Sequence, residues 1–329
     1  MKMINKPRLL VTGAAGFIGS HCMREAIIRG YDVLGVDNLN NYYDPKLKND
    51  RLRFVGEVGQ FEFEEIDISD YGRFAKTTRS YRPNYVLHLA AQAGVRYSIE
   101  RPFEYAKSNL VGHLSVLESV RACDSVKHLV YASSSSVYGD RNSVPFSEDE
   151  PADSPASLYA ATKRSDELMS FSYHHLYGIR ATGLRFFTVY GPWGRPDMAY
   201  WIFVDSILKN KPIKLFNRGN MVRDFTYIGD IVDYVFKIIQ ADKTVHNVYN
   251  IGGSSAQQLK YFLAIIERAC GREAIIEYDD MQPGDVKRTA ASNRRLIDEF
   301  GDRKMTPIEE GIPAFVEWFK AYFKAAPTN

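Results

Sequence analysis

Apolar residues come in short unbroken runs separated by amphipathic stretches, and this rhythm repeats through the first half of the chain. Arg8-Leu9-Leu10-Val11-Thr12 and Asp32-Val33-Leu34-Gly35-Val36-Asp37 predict buried strands, joined by a helix from Ile18 to Arg29 that Gly30 stops. Further strands are expected at Phe61 to Ile66, more exposed than the others, at Tyr85 to Ala90, at His128 to Ala132 and at Arg180 to Phe187. Helical spacing fills the gaps at Tyr71 to Tyr81, Pro102 to Ala122 and Leu158 to Tyr177. Strands alternating with helices predict an α/β fold with a parallel sheet covered on both faces.

Past Gly191 the pattern loosens. Proline, glycine and aromatic residues cluster from Pro192 to Asp224. Helical spacing returns at Gly229 to Ala241, a short strand at Asn247 to Ile251, and helices at Leu259 to Cys270 and Leu296 to Phe300. An amphipathic terminal helix from Pro313 to Lys324 carries Phe315, Trp318, Phe319 and Phe323. The expected division is a nucleotide-binding domain over 1–191, with 225–251 returning to it, and a smaller C-terminal α/β substrate lobe over 192–329.

Composition narrows the function classes. The chain has 329 residues, 45% hydrophobic and 25% charged, with a formal net charge of +2. Mixed charges of that balance argue against nucleic acid or a membrane surface as a partner held by bulk charge. No apolar run approaches the roughly 20 residues of a membrane span. The N-terminus, Met1 to Arg8, runs directly into the first strand without a signal sequence, so a cytoplasmic protein is expected. Cys22, Cys123 and Cys270 are far apart and lack metal-site spacing, so no metal is expected and buried free thiols are.

Gly13-Ala14-Ala15-Gly16-Phe17-Ile18-Gly19 joins the first strand to the first helix. Glycines in that context let the chain turn tightly and let a pyrophosphate approach the backbone, where the helix N-terminus offers amides and a positive dipole end. The pattern predicts a Rossmann-type, doubly wound sheet binding a dinucleotide. Asp37, at the end of the second strand, is placed to accept hydrogen bonds from the adenosine ribose and to repel a 2′-phosphate. Asn38 follows it, with no arginine there, so NAD is favoured over NADP. Asp67-Ile68 after the third strand either meets the adenine or simply forms a turn.

Tyr159 and Lys163 stand four apart near the start of a predicted helix and share a face. A nearby ammonium favours the phenolate that a tyrosine needs to act as a base. Ser133-Ser134-Ser135-Ser136 follows at the carboxyl end of a buried strand, where doubly wound sheets place ligands.

These three features together resemble the extended short-chain dehydrogenase/reductase family over essentially the whole chain. More narrowly, His88-Leu89-Ala90-Ala91-Gln92-Ala93-Gly94-Val95-Arg96-Tyr97-Ser98, Arg185-Phe186-Phe187-Thr188-Val189-Tyr190-Gly191-Pro192 and Arg195-Pro196-Asp197-Met198-Ala199 resemble the UDP-glucuronate 4-epimerases. The resemblance implies NAD-dependent inversion of carbon 4 of UDP-glucuronic acid to UDP-galacturonic acid. Tyr159 is then the base and Lys163 its partner, holding the cofactor ribose. Ser134, five residues before Gly139, is the hydroxyl on the sugar. Leu89, Ala90, Ala91 and Asn109 join the cofactor set, and Ser135 and Ser136 the substrate set.

Departures from sister subfamilies sharpen this. The 4,6-dehydratases carry Asp-Glu where Ser135-Ser136 stands, and the decarboxylases carry Glu at the position of Ser136. The UDP-galactose 4-epimerases usually show Asn where Thr188 stands. The remaining alternatives are a decarboxylase or a UDP-hexose 4-epimerase on this scaffold. A UDP-uronate needs cationic partners, and arginine suits both diphosphate and carboxylate. Arg223 matches the family's diphosphate-binding arginine, and Arg288, after Pro283-Gly284-Asp285-Val286, a nucleotide clamp. Arg195 and Thr188 match the pair meeting the uronate carboxylate. Arg96 either lines that pocket or makes a solvated salt bridge. The family also implies a homodimer through the helices Pro102 to Ala122 and Leu158 to Tyr177, with Leu110, Leu114 and Leu117 as an apolar stripe.

Overall fold

The computed structural model describes residues 6–141, 143–241, 246–282 and 284–325. Residues 1–5, at the head of the expected N-terminal run, and Pro283 lie outside the described residues. The strands are β1 (Arg8–Thr12), β2 (Asp32–Asp37), β3 (Glu62–Glu65), β4 (Tyr85–His88), β5 (His128–Ser134), β6 (Ala181–Phe186), β7 (Thr188–Tyr190), β8 (Pro212–Phe216), β9 (Val222–Tyr227), β10 (Asn247–Ile251), β11 (Ala256–Gln258) and β12 (Ile275–Asp279). The helices are α1 (Phe17–Ile28), α2 (Pro45–Gly56), α3 (Tyr71–Tyr81), α4 (Tyr97–Glu100), α5 (Pro102–Tyr105), α6 (Gly112–Arg121), α7 (Leu158–Tyr177), α8 (Ala199–Leu208), α9 (Ile228–Gln240), α10 (Leu259–Cys270), α11 (Arg294–Phe300) and α12 (Ile308–Ala325). Seven strands form one sheet in the order β10-β6-β5-β4-β1-β2-β3. β1 pairs in parallel with both β2 and β4, so the strand order reverses there, at the switch point where doubly wound sheets bind ligands.

Two compact units emerge. The first comprises the chain up to Gly139, Ala152–Arg185 and Val232–Tyr249; the second comprises Asp140–Pro151, Phe186–Ile231 and the chain from Asn250. In the first unit, Leu10, Val36, Phe74, Leu117 and Leu129 belong to a buried apolar cluster between sheet and helices. Leu117 therefore faces its own core, while Leu114, from the same predicted stripe, is exposed. The second unit holds a three-stranded sheet, β11-β9-β7, and a parallel pair, β12-β8. Phe225 on β9 stacks on Phe262 of α10 with ring centroids 3.7 Å apart. Phe315 and Phe319 of α12 pack on Trp201 of α8.

Local chemistry fixes the helix ends. Ser157 caps α7 by accepting from the Ala160 amide at 3.1 Å, and Gly178 closes the helix in the left-handed region at φ 66°. Asp44 caps α2, and Pro45 occupies its first turn. The helix expected over Pro102 to Ala122 is interrupted: a π turn at Ala106–Val111 lies between α5 and α6. Asn109 sits in that turn and is drawn towards Gln92 and Thr162. β5 runs two residues beyond its predicted end, taking in Ser133 and Ser134. α12 starts at Ile308, a turn and a half earlier than expected, with Pro313 inside it. Among the described residues no helix is long and apolar enough to cross a membrane. The three cysteines are free and buried.

The first unit holds four imidazoles in neutral form, three buried and His246 half-buried. Burial drives His113 down to about 3, and drives His128 and His246 down to about 4; it also drives His88 well below 6.5. A group with a depressed folded pKa contributes stability above its unfolded value and loses it as pH falls. Asp166, pushed up to about 6 by burial, works in the opposite direction, but it is one group against four. The thermal midpoint of this unit should therefore fall steadily as pH is lowered from 7 towards 4.5. Scanning calorimetry across that range checks this, and a level or rising midpoint contradicts it.

Candidate active site

At the head of α1 the chain turns under tight steric limits. Gly13 adopts φ +70°, and a Cβ there would sit 2.7 Å from the Ala90 nitrogen. A Cβ on Gly19 would strike the Gly13 carbonyl oxygen. Side chains are thus excluded where the β1–α1 turn meets α1 and the chain after β4. α1 begins at Gly16 with no side chain capping it, and Gly13, Gly16 and Ile18 remain half-exposed beside buried Phe17. Helix amides and a positive dipole end are available there for an anion.

Asp37 braces this turn. Its Oδ2 accepts from the Ala15 amide at 3.0 Å and its Oδ1 from the Leu39 amide at 2.9 Å. Two carboxylate oxygens offer about four acceptor positions, so capacity remains for ribose hydroxyls. Asn38 accepts from the Asn40 amide at 3.2 Å. Arg51, fully buried on α2, donates to the Ala15 carbonyl at 3.2 Å and to the Tyr43 hydroxyl at 2.5 Å. Lys48 donates to Asn40 at 2.7 Å. Across β1, the Thr12 hydroxyl accepts from the Ala90 amide at 3.2 Å and shares a 2.7 Å hydrogen bond with His88 Nδ1. Leu89, Ala90 and Ala91 are half-buried along this segment. Asn109 bonds both backbone groups of Gln92, at 2.8 and 3.1 Å, and Thr162 at 2.9 Å, so its amide anchors the chain after Ala91. Asp67 accepts from Ser69 and pairs with Lys107 at 2.9 Å, forming a turn, and Ile68 belongs to the core.

Tyr159 and Lys163 lie in the first two turns of α7, Tyr159 half-buried and Lys163 buried. Lys163 Nζ donates to Asp166 at 3.0 Å. Tyr105 sits edge-on to Tyr159 at 6.1 Å and donates to the Ala93 and Gly94 carbonyls. Strand alternation separates the serines. Ser133 donates to Glu167 at 2.6 Å, while Ser134 Oγ accepts from the Ser136 amide at 3.2 Å and donates to Ser136 Oγ at 3.1 Å. Ser135 and Ser136 open a short 3₁₀ turn after β5. Glu167 forms a buried two-pronged pair with Arg185, 2.8 Å at each contact, and Arg185 lies over the Tyr138 ring. That pair ties α7, β5 and β6 together behind the serines. Arg96 is exposed, one residue before α4.

In the second unit, β7 and β9 pair with Thr188 opposite Phe225, two residues from Arg223. Arg223 donates to the Lys287 carbonyl at 3.3 Å, and Val222 bridges to Arg288, which is exposed. The small sheet therefore brings Thr188, Arg223 and Arg288 together. Between them Asp224 points inward and accepts from the Gly253 and Ala291 amides, pinning both segments to β9; burial pushes its pKa up to about 6. Arg195 belongs to a turn built on Tyr200: the Arg195 amide donates to the Tyr200 hydroxyl at 3.1 Å, and Gly194 leaves no room for a Cβ there. Trp193 before it has φ 62° and packs on Trp318 and Tyr322 of α12. The Arg195 guanidinium pairs through two nitrogens with Asp197.

A family model described as the NAD dependent epimerase/dehydratase family matches residues 9–252. The chain belongs to that family. It is 41% identical over 340 residues to a Rhizobium meliloti protein named a probable UDP-glucuronate 4-epimerase, covering 98% of this chain and 99% of that protein. Among solved structures, it resembles the UDP-glucuronic acid 4-epimerase of Bacillus cereus, solved with UDP-glucuronic acid and NAD, with a TM-score of 0.89 and 32% identity over 96% of this chain and 99% of that one. It also resembles the UDP-glucose 4-epimerase of Thermotoga maritima, with a TM-score of 0.88 and 30% identity over the same shares.

NAD is the cofactor of this family, and the first unit fits it: the glycine turn leaves backbone open to an anion, and the Asp37 carboxylate beside it keeps acceptor capacity. Sequence reasoning missed the support beneath this site. Arg51 and Lys48 ride on α2, whose Asp44-Pro45 start and Leu47, Arg51, Val55 spacing are visible signals in retrospect. Glu167 lay on the helix expected over Leu158 to Tyr177, and Asp224 directly after Arg223, without either being singled out.

Proposed function

We propose that the chain inverts carbon 4 of UDP-glucuronic acid, giving UDP-galacturonic acid through a transient 4-keto sugar. The observation that carries the reading is the braced Arg195 turn, together with Thr188 on the sheet that also carries Arg223. The Arg195 amide is held by the Tyr200 hydroxyl and its guanidinium by Asp197; an arginine so placed suits a carboxylate, whereas a neutral hexose has no use for it. The names of two of the relatives above point the same way. The first unit is the NAD-binding domain in this reading, and the second is the UDP-sugar lobe.

NAD supplies a reversible hydride acceptor at carbon 4. Gly13, Gly16, Phe17, Ile18, Gly19, Asp37 and Asn38 hold it, with Leu89 to Ala91 along its path. Tyr159 takes the proton of the carbon-4 hydroxyl, helped by the Lys163 charge, and returns it after the sugar has turned about its link to the diphosphate. Ser134 donates to the carbon-4 oxygen, and Ser135 and Ser136 line the sugar. Arg223 and Arg288 hold the diphosphate while the sugar turns. The 4-keto uronate is a β-keto acid and loses carbon dioxide most easily when the breaking bond aligns with the ketone π system. Arg195 holds the carboxylate out of that alignment. Three free buried thiols suit a reducing, cytoplasmic setting.

A neutral UDP-hexose is the second reading, favoured by the Thermotoga maritima structure. Incubating the protein with UDP-glucuronate and no added NAD decides among the outcomes. The expected product is an epimeric uronate; a pentose product, or turnover of UDP-glucose alone, overturns the proposal.

Arg195→Ala should weaken UDP-glucuronate by about tenfold or more, the scale of a charge-assisted hydrogen bond, and leave a neutral UDP-hexose nearly unaffected. Calorimetry with both sugars tests it, and equal losses show that Arg195 is not the carboxylate anchor.

The chain is also expected to dimerise through α6 and α7, where Leu114, Leu168 and Phe171 are exposed. Light scattering at micromolar concentration should give twice the chain mass, and a monomer contradicts it.

A further inference from the structure

We propose that Asp166 is a positioning residue that keeps the Lys163 ammonium charged and in place, and so sets the pH at which Tyr159 becomes a base. The inference rests on the roles just given to Tyr159 and Lys163. The three side chains occupy positions i, i+4 and i+7 of α7, one stripe of the helix.

The pair is closed off from water. Asp166 is fully buried and Lys163 is 3% exposed, with 3.0 Å between Nζ and Oδ2. The other oxygen, Oδ1, has no hydrogen-bond partner among the described residues. The groups around the pair do not take over its task. From α6, His113 is neutral, held down to about 3 by burial and then by the Lys163 charge. From β4, His88 is likewise neutral. From β5, Tyr131 is buried, and burial raises its phenol, with the Glu167 and Asp166 charges adding to this. Glu167, next along α7, is committed to Arg185 from β6, to Ser133 and to Arg164. Asp166 is therefore the anion that Lys163 contacts.

Physics gives the sign. A buried ammonium without a counter-ion is costly, and a lysine so placed answers by losing its proton. A neutral amine no longer favours the phenolate of Tyr159, so the phenol would titrate at higher pH. Burial pushes Asp166 up to about 6, with the Lys163 charge drawing it back, so the carboxylate is ionised and the pair intact at neutral pH.

Asp166→Asn keeps the shape and removes the charge. In the holoenzyme, the acidic limb of kcat/KM against pH should move up by about one unit or more, the usual effect of one neighbouring charge. At a fixed pH on that limb the variant would be about tenfold slower, and the two proteins would converge at high pH. NMR titration of the Tyr159 ring in tyrosine-labelled holoenzyme should show the same upward move. A limb and phenol that stay put, or move down, overturn the proposal, whatever the variant does to the melting temperature. If Asp166→Asn does not fold, Asp166→Ser carries the same expectation. Tyr159→Phe separates the two claims: should it keep more than about a tenth of wild-type activity, the base assignment fails, whereas a dead Tyr159→Phe with an unmoved Asp166→Asn limb sinks this inference alone.

Discussion

Where β1 turns into α1, the Gly13 carbonyl lies so close to the helix that a Cβ on Gly19 would strike its oxygen. Backbone stands where side chains would otherwise be, and the rest of the cofactor site is arranged around that contact. The turn can hold its shape only if its own polar groups are satisfied elsewhere, since buried backbone amides and carbonyls need partners. Asp37 takes the Ala15 amide and Arg51 the Ala15 carbonyl, so an acid from β2 and a base from α2 grip one residue from both sides. On the other flank, Thr12 holds the Ala90 amide that Gly13 packs against.

A second layer of buried polar groups fixes the residues that the proposed reaction uses. In the first unit, Glu167 gathers Arg185, Ser133 and Arg164, and Asn109 gathers Gln92 and Thr162. In the second, Asp224 draws two loops to β9, and Asp230 accepts from the Thr306 amide at 2.7 Å and from Arg303. Asp224, Asp230 and Asn109 satisfy backbone groups of irregular segments, while Glu167 joins β5, β6 and its own helix. Removing one partner would leave a buried charge or donor stranded, which costs more than the interaction itself contributes.

How much of this the sequence displayed depends on the kind of signal. α7 and α10 were legible to the residue because Ser157 and Gly178 bound one and Gly271 ends the other; β10 was legible because its apolar run stands alone. α2 was not, since its mean hydropathy is low and its buried face includes Lys48 and Arg51, which a hydrophobic pattern counts as polar. α8 and β8 hid in a stretch rich in proline, glycine and aromatics, where period is hard to see. The π turn at Ala106–Val111 leaves the apolar pattern nearly helical, so only the polar targets of Asn109 reveal it. Within the site, residues whose identity is demanded by chemistry were visible. Those that act by bonding backbone, such as Asp224 and Arg51, were not distinguishable from ordinary polar positions.

The two serines after Ser134 matter to the proposed reaction for what they lack. On the proposed path the ketone makes the uronate prone to lose its carboxylate, and the neighbouring subfamilies place acids at these positions to drive elimination or decarboxylation. Ser136 is engaged with Ser134 through both its amide and its hydroxyl, and neither serine offers a carboxylate. Avoiding the side reaction then needs no energetic device at that end of the site; it needs only that no acid or base be present and that the carboxylate be restrained at its other end. In the proposed reading that restraint falls to the Arg195 turn, which has a left-handed Trp193 packed on α12, a Gly194 that admits no side chain and the Tyr200 hydroxyl on the arginine's own amide. A long, flexible side chain is there mounted on a backbone with little freedom, which is the condition for a guanidinium to set the torsion of a bound carboxylate and not simply attract it.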